Sequence, residues 1–273
     1  MAKDEIFLTS QVLDSGIQIP SPPALLNELS AALDEPDVNL KKVTAILSRD
    51  GGVVAMLFKL AGSPVYGGRK APDSIEEVIN LLGLGTVGDL VKGMLLRAAF
   101  APETPFLAWF WERADEVARL AAMLASKLRR TARIPPGHAQ LAAMFMDCGV
   151  PMLIKRFPDY VNGFHGANTG LAYQWPKLKR LDADFATNHA VVGALMARHW
   201  KLPAYVCEAI QLHHEGPVSD ERVGKLLALI QAATHLYSLH ALGEDPGWQE
   251  VRAEALARLE LNDHELEDLR EEF

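Results

Sequence analysis

Asp147 stands inside an apolar run, residues 139–157, and a carboxylate placed in a core needs a partner. Three histidines follow it, His189, His213 and His214. Imidazole and carboxylate are the groups that hold divalent cations and move protons near neutral pH. His213 and His214 are adjacent, so on a helix they point about 100° apart. Both reach one metal easily only at a helix end. The preferred reading is one buried histidine bonded to a helix and one surface histidine, with residual metal or anion binding as the alternative. His189 follows Asn188, a good helix cap, so it either caps and packs or ligates. Cys148, beside Asp147, reads as a small core residue rather than a nucleophile.

Two basic clusters, Lys127, Arg129, Arg130, Arg133 and Lys177, Lys179, Arg180, read as solvated helix ends followed by loops. Arg129 and Arg133 also have the R-x-x-x-R spacing of some cyclic-dinucleotide sites, but no partner motif follows, and chance explains it better. The whole chain of 273 residues carries a net charge of −8, which disfavours general nucleic-acid binding. At 49% hydrophobic and 23% charged it has a globular composition. No apolar stretch reaches the ~18 residues a membrane span requires. The N-terminus, Met1-Ala-Lys-Asp-Glu, has no apolar segment after it and does not read as a signal peptide. Two cysteines, Cys148 and Cys207, make neither a disulfide framework nor a C-x-x-C pair, so a reducing, cytoplasmic setting is expected.

The elements that must position these groups are helical. Pro22-Pro23 precede Leu25, Leu26, Leu29, Ala32 and Leu33 at helical spacing. Asp37 or Asn39 could cap a second helix, with Val43, Ile46 and Leu47 inside. A third runs over 53–60, up to Gly62 and Pro64. Ser74-Ile-Glu-Glu77 is a capping box opening a fourth, which Gly83 and Gly85 should break before a fifth over 87–100. Ala101-Pro-Glu-Thr-Pro105 is the clearest internal boundary. Beyond it the pattern predicts a long helix over 111–128, a buried helix over 139–157 and a loop-rich stretch over 163–170. Helices then follow over 188–200, 204–214, 222–242, 248–259 and 263–272. No segment alternates like a strand, so the fold class is all-α.

Four segments in this order resemble the HDOD family, the HD-related output domain of bacterial signalling proteins. They are Ile19-Pro-Ser-Pro-Pro with Asp34-Glu-Pro36; Ile46-Leu-Ser-Arg-Asp50 with Lys59-Leu-Ala-Gly-Ser63-Pro-Val-Tyr66; Ser74-Ile-Glu-Glu-Val-Ile-Asn-Leu-Leu-Gly83; and His189-Ala-Val-Val-Gly193 through Trp200-Lys-Leu-Pro203 to His213-His214. Gly51 stands where the family usually has proline, and Gly62 where it has asparagine. Ser63 and Tyr66 read as a helix end and a turn. The resemblance covers about residues 15–215. It implies a helical lobe over 1–105 packed on a degenerate HD-type lobe over 106–215. Residues 216–273 would be C-terminal helices that pack on that lobe or serve interaction.

HD-superfamily phosphohydrolases hold one or two metals with His and Asp from several helices, because a metal activates water and neutralises phosphate charge. The resemblance puts the early histidine of that set at Arg113, the His-Asp doublet at Met146-Asp147, and the closing aspartate at Thr234. His189, His213 and His214 match retained histidines. Arginine cannot ligate a metal, and methionine suits a hard phosphohydrolase metal poorly. An Asp147–Arg113 pair, or an Asp147–His pair, is expected in place of the metal. The leading expectation is a non-catalytic signal-transduction module acting through protein–protein contacts, with no cofactor. The alternative is a residual metal- or nucleotide-binding HD-type phosphohydrolase or ligand sensor using Asp147, His189, His213 and His214, with Arg113 on phosphate. Nucleic-acid binding through residues 127–133 ranks last. Trp109, Phe110 and Trp111 are expected to pack, and Phe106 with them to pack rather than to form a docking patch. Sequence leaves the partner and the oligomeric state open.

Overall fold

The computed structural model describes residues 16–63, 66, 72–100, 104–164, 177–185, 188–215 and 217–270. Among these residues there are fourteen α-helices, one 3-10 segment and no strand. Pro64, Val65, residues 101–103 of the expected boundary, residues 165–170 of the loop-rich stretch, and the side chains of Lys177, Lys179 and Arg180 lie outside what it describes.

α1 (Ala24–Leu33) starts behind Pro23 and buries Leu26, Leu29 and Ala32. α2 (Leu40–Leu47) is capped by Asn39 rather than Asp37, the Asn39 carboxamide accepting from the Lys42 N–H. α3 (Gly51–Ala61) is capped by Asp50, which accepts from the amides of Gly52 and Val53. α4 (Ile75–Leu82) opens on Ser74, whose Oγ accepts from the Glu77 amide at 3.1 Å. The Glu77 carboxylate reaches back to the Asp73 amide at 2.8 Å. α5 (Leu84–Ala99) follows directly. The break between them is the single residue Gly83 at φ 81°, a conformation that disfavours a side chain, and the two helices meet at 107°. Gly85 breaks nothing; it lies inside the first turn of α5. Of these first five helices, α1 packs on α2 and α5, and α3 packs on α4 and α5.

α6 (Pro105–Lys127) begins earlier than the apolar period suggests. Thr104 accepts from the Leu107 amide, and Pro105 occupies the first turn, where its missing N–H costs nothing. Phe106, Trp109, Phe110 and Trp111 therefore all ride on one helix. Trp111 is fully buried and its Nε1–H donates to the Phe100 carbonyl at 2.9 Å. Phe106 stacks on Phe164 with 4.7 Å between ring centres. The aromatic run packs, as expected.

The single helix expected over 139–157 is two: α7 (Pro136–Phe145) and α8 (Gly149–Arg156). Pro151 supplies the reason. In an unbroken helix its ring would press on the carbonyl of residue 147, and it has no N–H to donate there. The Asp147 carbonyl instead accepts from the Val150 amide at 2.9 Å. A 3-10 segment (Pro158–Phe164) and α9 (Lys177–Asp184) follow. The basic cluster of 177–180, expected at a helix end followed by a loop, instead opens a helix. The remaining helices are α10 (His189–His199), α11 (Ala204–Leu212), α12 (Glu221–Leu242), α13 (Trp248–Leu259) and α14 (Asp263–Arg270).

α7 is the axis of the packing, touching α5, α6, α11 and α12. α12 lies against α6 and α13, and α10 against α8 and α11. The buried hydrophobics form one continuous cluster from Ile17 to Leu266. Trp200, 1% exposed, ties the segment before α1 to α10 by donating from Nε1 to the Pro20 carbonyl at 2.9 Å. Truncating a buried tryptophan of this kind typically costs about 3–5 kcal/mol. Arg129, Arg130 and Arg133 are exposed on the turn that ends α6. Among the described residues, no single helix is long and apolar enough to cross a membrane.

Candidate functional site

The break between α7 and α8 aims Asp147 at the start of α10. Two glycines let the backbones meet there. A Cβ on Gly149 would lie 2.0 Å from the His189 carbonyl oxygen, and one on Gly193 would lie 3.3 Å from Cys148 Sγ. No larger residue fits at 149 without driving α8 from α10. His189 is the first residue of α10, behind Asn188, which caps it by accepting from the amides of Ala190 and Val191. α11 ends at Leu212, so His213 and His214 sit on the turn beyond it. That helix end lets two adjacent histidines face one point, with ring centres 3.8 Å apart.

Asp147, His189, His213 and His214 each offer one donor atom, and these four atoms lie within 4.8 Å of one another. His213 Nε2 is 3.3 Å and His189 Nε2 3.6 Å from Asp147 Oδ1, and the Nε2 atoms of His189 and His214 are 3.0 Å apart. The other carboxylate oxygen, Oδ2, takes the Arg113 guanidinium at 3.1 Å. Arg113 comes from α6, and its guanidinium lies 6.0 Å from the ring centre of Tyr237 on α12. Arg113, Asp147, His189 and His213 are all buried, and His214 is half-buried. Both partners expected for Asp147, the arginine and the histidines, are present together. The expected buried histidine bonded to a helix is His213, but His214 turns inward to meet His189 instead of lying on the surface.

The orientation of each imidazole follows from its Nδ1. His213 Nδ1 lies 2.6 Å from the Ile210 carbonyl, which can only accept, so Nδ1 carries the proton. His189 Nδ1 donates to the Asp182 carboxylate at 2.6 Å, and the His189 amide donates to the same oxygen at 3.1 Å. Asp182 in turn accepts from the Tyr160 hydroxyl at 2.6 Å. The Nε2 atoms of both histidines therefore point into the cluster. Acceptors converging on one spot require something positive there, either a cation or protons.

Without a metal, protons supply part of that charge. Burial works against a charged His189, yet its hydrogen bonds to Asp147 and Asp182 raise it to about 9, so it is protonated at neutral pH. Burial pushes His214 well below the usual histidine range, and the neighbouring imidazoles of His213 and His189 push it further. Neutral His214 thus accepts the His189 Nε2 proton. Burial favours a neutral Asp147, but its side-chain contacts with His189 and His213 and the charge of Arg113 hold its carboxyl well below the ordinary range. Cys148 is buried with Sγ near the Gly193 carbonyl, and burial pushes its thiol up, which suits a core residue rather than a nucleophile.

Asp182 and Tyr160 were not found by sequence reading. Asp182 lies in a charged run that looks like any solvated helix, and only the docking of α9 buries it. A histidine whose Nδ1–H is held by a carboxylate is the arrangement that keeps a metal-ligating imidazole in one tautomer. The donor set, three imidazoles and one carboxylate, fits a single divalent cation. Met146 is buried in the core, and Thr234 is a half-buried residue of α12.

The HDOD domain model matches residues 19–216. A Treponema pallidum protein described as "Uncharacterized protein" is 24% identical over 226 residues, 83% of this chain and 43% of the relative; the chain thus spans less than half of that protein's length. An HDOD domain protein of unknown function from Geobacter sulfurreducens superposes with a TM-score of 0.65 at 23% identity, over 99% of this chain and 97% of the other. A Shewanella amazonensis structure described as "Putative metal-dependent phosphohydrolase" gives 0.68 at 15% identity, over 98% of both chains. At these identities the structural likeness is one of fold.

Proposed function

Because this chain belongs to the HDOD family, we propose that it is a signal-transduction module that does not hydrolyse phosphate esters and that works through contacts with a signalling partner. One observation carries this reading. The carboxylate a hydrolytic metal centre would depend on is already neutralised by Arg113 inside the same cage. Arginine keeps its charge at every accessible pH and offers no lone pair. Asp147 is already balanced by Arg113, and protonated His189 lies between Asp147 and Asp182. Each divalent cation placed there would add charge beside a guanidinium that cannot lose its own.

The convergence of four donor atoms favours a second, narrower reading in which the site holds one divalent cation. Asp147, His189, His213 and His214 would hold it. Four protein ligands make a closed site of the structural kind, whereas catalytic sites keep a position open for water. Such an ion would supply a cross-link between α8, α10 and α11. Asp182 and Tyr160 would keep His189 in its ligating tautomer. Nucleotide binding is less favoured, because the Arg113 guanidinium is buried and already engaged.

The test is hydrolysis of bis(p-nitrophenyl) phosphate and of cyclic and linear nucleotides with Mn²⁺, Fe²⁺ or Zn²⁺. The expected result is product release no faster than that of Asp147→Asn, with at most one bound ion per chain by elemental analysis. Turnover by the wild type that Asp147→Asn abolishes would overturn the proposal.

A further inference from the structure

α5 carries a glycine that packing among the described residues does not require. Gly93 lies in the middle of this helix, where glycine costs about 1 kcal/mol relative to alanine. Among the described residues, a Cβ built there would meet only Met144 Cγ, at 3.8 Å, an ordinary contact. Other buried glycines have a reason in the fold: at Gly88 a Cβ would meet Leu33 at 3.0 Å, and at Gly149 it would strike the His189 backbone. A bare backbone with open space beside it marks a place where something from outside the chain comes close.

The space beside Gly93 is a cleft of about 450 Å³ between α3, α5, α6 and α7. That volume falls within the range of small-molecule sites. A helix is about 10–12 Å across, so little more than a single turn would fill the cleft, which excludes a docked helix as the occupant. The walls are apolar and adaptable: Met56 and Leu60 from α3, Leu90 and Met94 from α5, and Met144 from α7. Thioether side chains adjust to apolar bodies of differing shape. Ser63, at the end of α3, lines the cleft too, and its buried hydroxyl has no hydrogen-bond partner among the described residues.

Charge at the mouth narrows the ligand. Arg97 pairs with Asp115, and Arg119 pairs with Glu116. Lys59 is exposed, lines the same cleft, and has no acidic partner among the described residues. Deeper in the cleft, Asp89 is held by Lys92 at 3.6 Å and His138 at 3.0 Å, and the Tyr66 hydroxyl donates to Gln140, so Lys59 is the one charge of the lining without a partner among the described residues. We propose that this cleft binds a small amphipathic monoanion, an apolar body lying over Gly93 among the methionines with its carboxylate at Lys59. The Ser63 hydroxyl gives it a second polar contact. This site is separate from the Asp147 cluster and does not depend on how that cluster is read.

Isothermal titration of the full chain with decanoate, decanol and decylamine tests it. Decanoate binds tightest, and decylamine weakest. Lys59→Met weakens decanoate about fivefold, the upper end for an exposed ion pair, and leaves decanol unchanged. Gly93→Leu, whose side chain grows into the cleft, removes binding of decanoate and decanol. If Gly93→Leu does not fold, Met56→Trp on the wall obstructs the cleft and gives the same loss. Absence of decanoate binding, equal affinity for the three probes, or undiminished decanoate binding by Lys59→Met and the cleft-filling variant overturns the proposal.

Discussion

Asp147→Asn isolates the interaction on which the site rests. The side chain keeps its size and loses its charge, so packing is preserved while the buried Arg113 guanidinium loses its counter-ion. Removing one member of a buried pair strands the other, at a typical cost of about 3–5 kcal/mol. For a chain of this length that lowers Tm by on the order of 10 °C. The assay is denaturant unfolding followed by circular dichroism, at neutral pH with chelator so that no metal contributes. Arg113→Met and the double variant close a thermodynamic cycle. The double variant removes both charges at once, so its loss is smaller than the sum of the single losses, by about 2 kcal/mol for groups in direct contact. A loss below about 1 kcal/mol for Asp147→Asn, or strictly additive losses, refutes the idea that the pair holds the site together.

Other predictions follow from the same geometry. His189 is raised from 6.5 to about 9, so its contribution to the metal-free protein is fully present below pH 6.5 and is lost as pH rises through about 9. Melting with chelator across that window should show a fall equivalent to at most about 3 kcal/mol, reduced in Asp147→Asn; a flat profile contradicts the assignment. Asp182→Asn removes the negative charge that orients His189 and puts an NH2 donor in place of one carboxylate oxygen, without touching any candidate ligand, and Zn²⁺ affinity measured by competition with a chelating dye is expected to drop about 10–100-fold. Gly149→Ala puts a carbon 2.0 Å from the His189 carbonyl oxygen, and a loss of more than about 4 kcal/mol is expected in the same unfolding assay. Unchanged stability there would mean that α8 and α10 can part freely.

Local sequence already carried the all-α class and most helix starts. Ser74 with Glu77 and Asn188 before His189 are caps written in a few consecutive residues, and a cap acts only on its own first turn. The apolar period placed the helices from 188 onward for the same reason. It does not show the break at 146–148, because the apolar content of 139–157 runs straight through Pro151, nor the early start of α6, because the prolines that stop the preceding helix also stand where α6 begins. The candidate residues Arg113, Asp147, His189, His213 and His214 were legible as residue types in a family order. Their meeting was not, since it depends on α6, the α7–α8 turn, α10 and the end of α11 docking together. Asp182 and Tyr160 carried no local signal at all. Burial, partner and protonation state belong to the assembled helices: the same aspartate on an isolated α9 would be a solvated carboxylate, and only α10 packed beside it makes it the group that holds His189 in place.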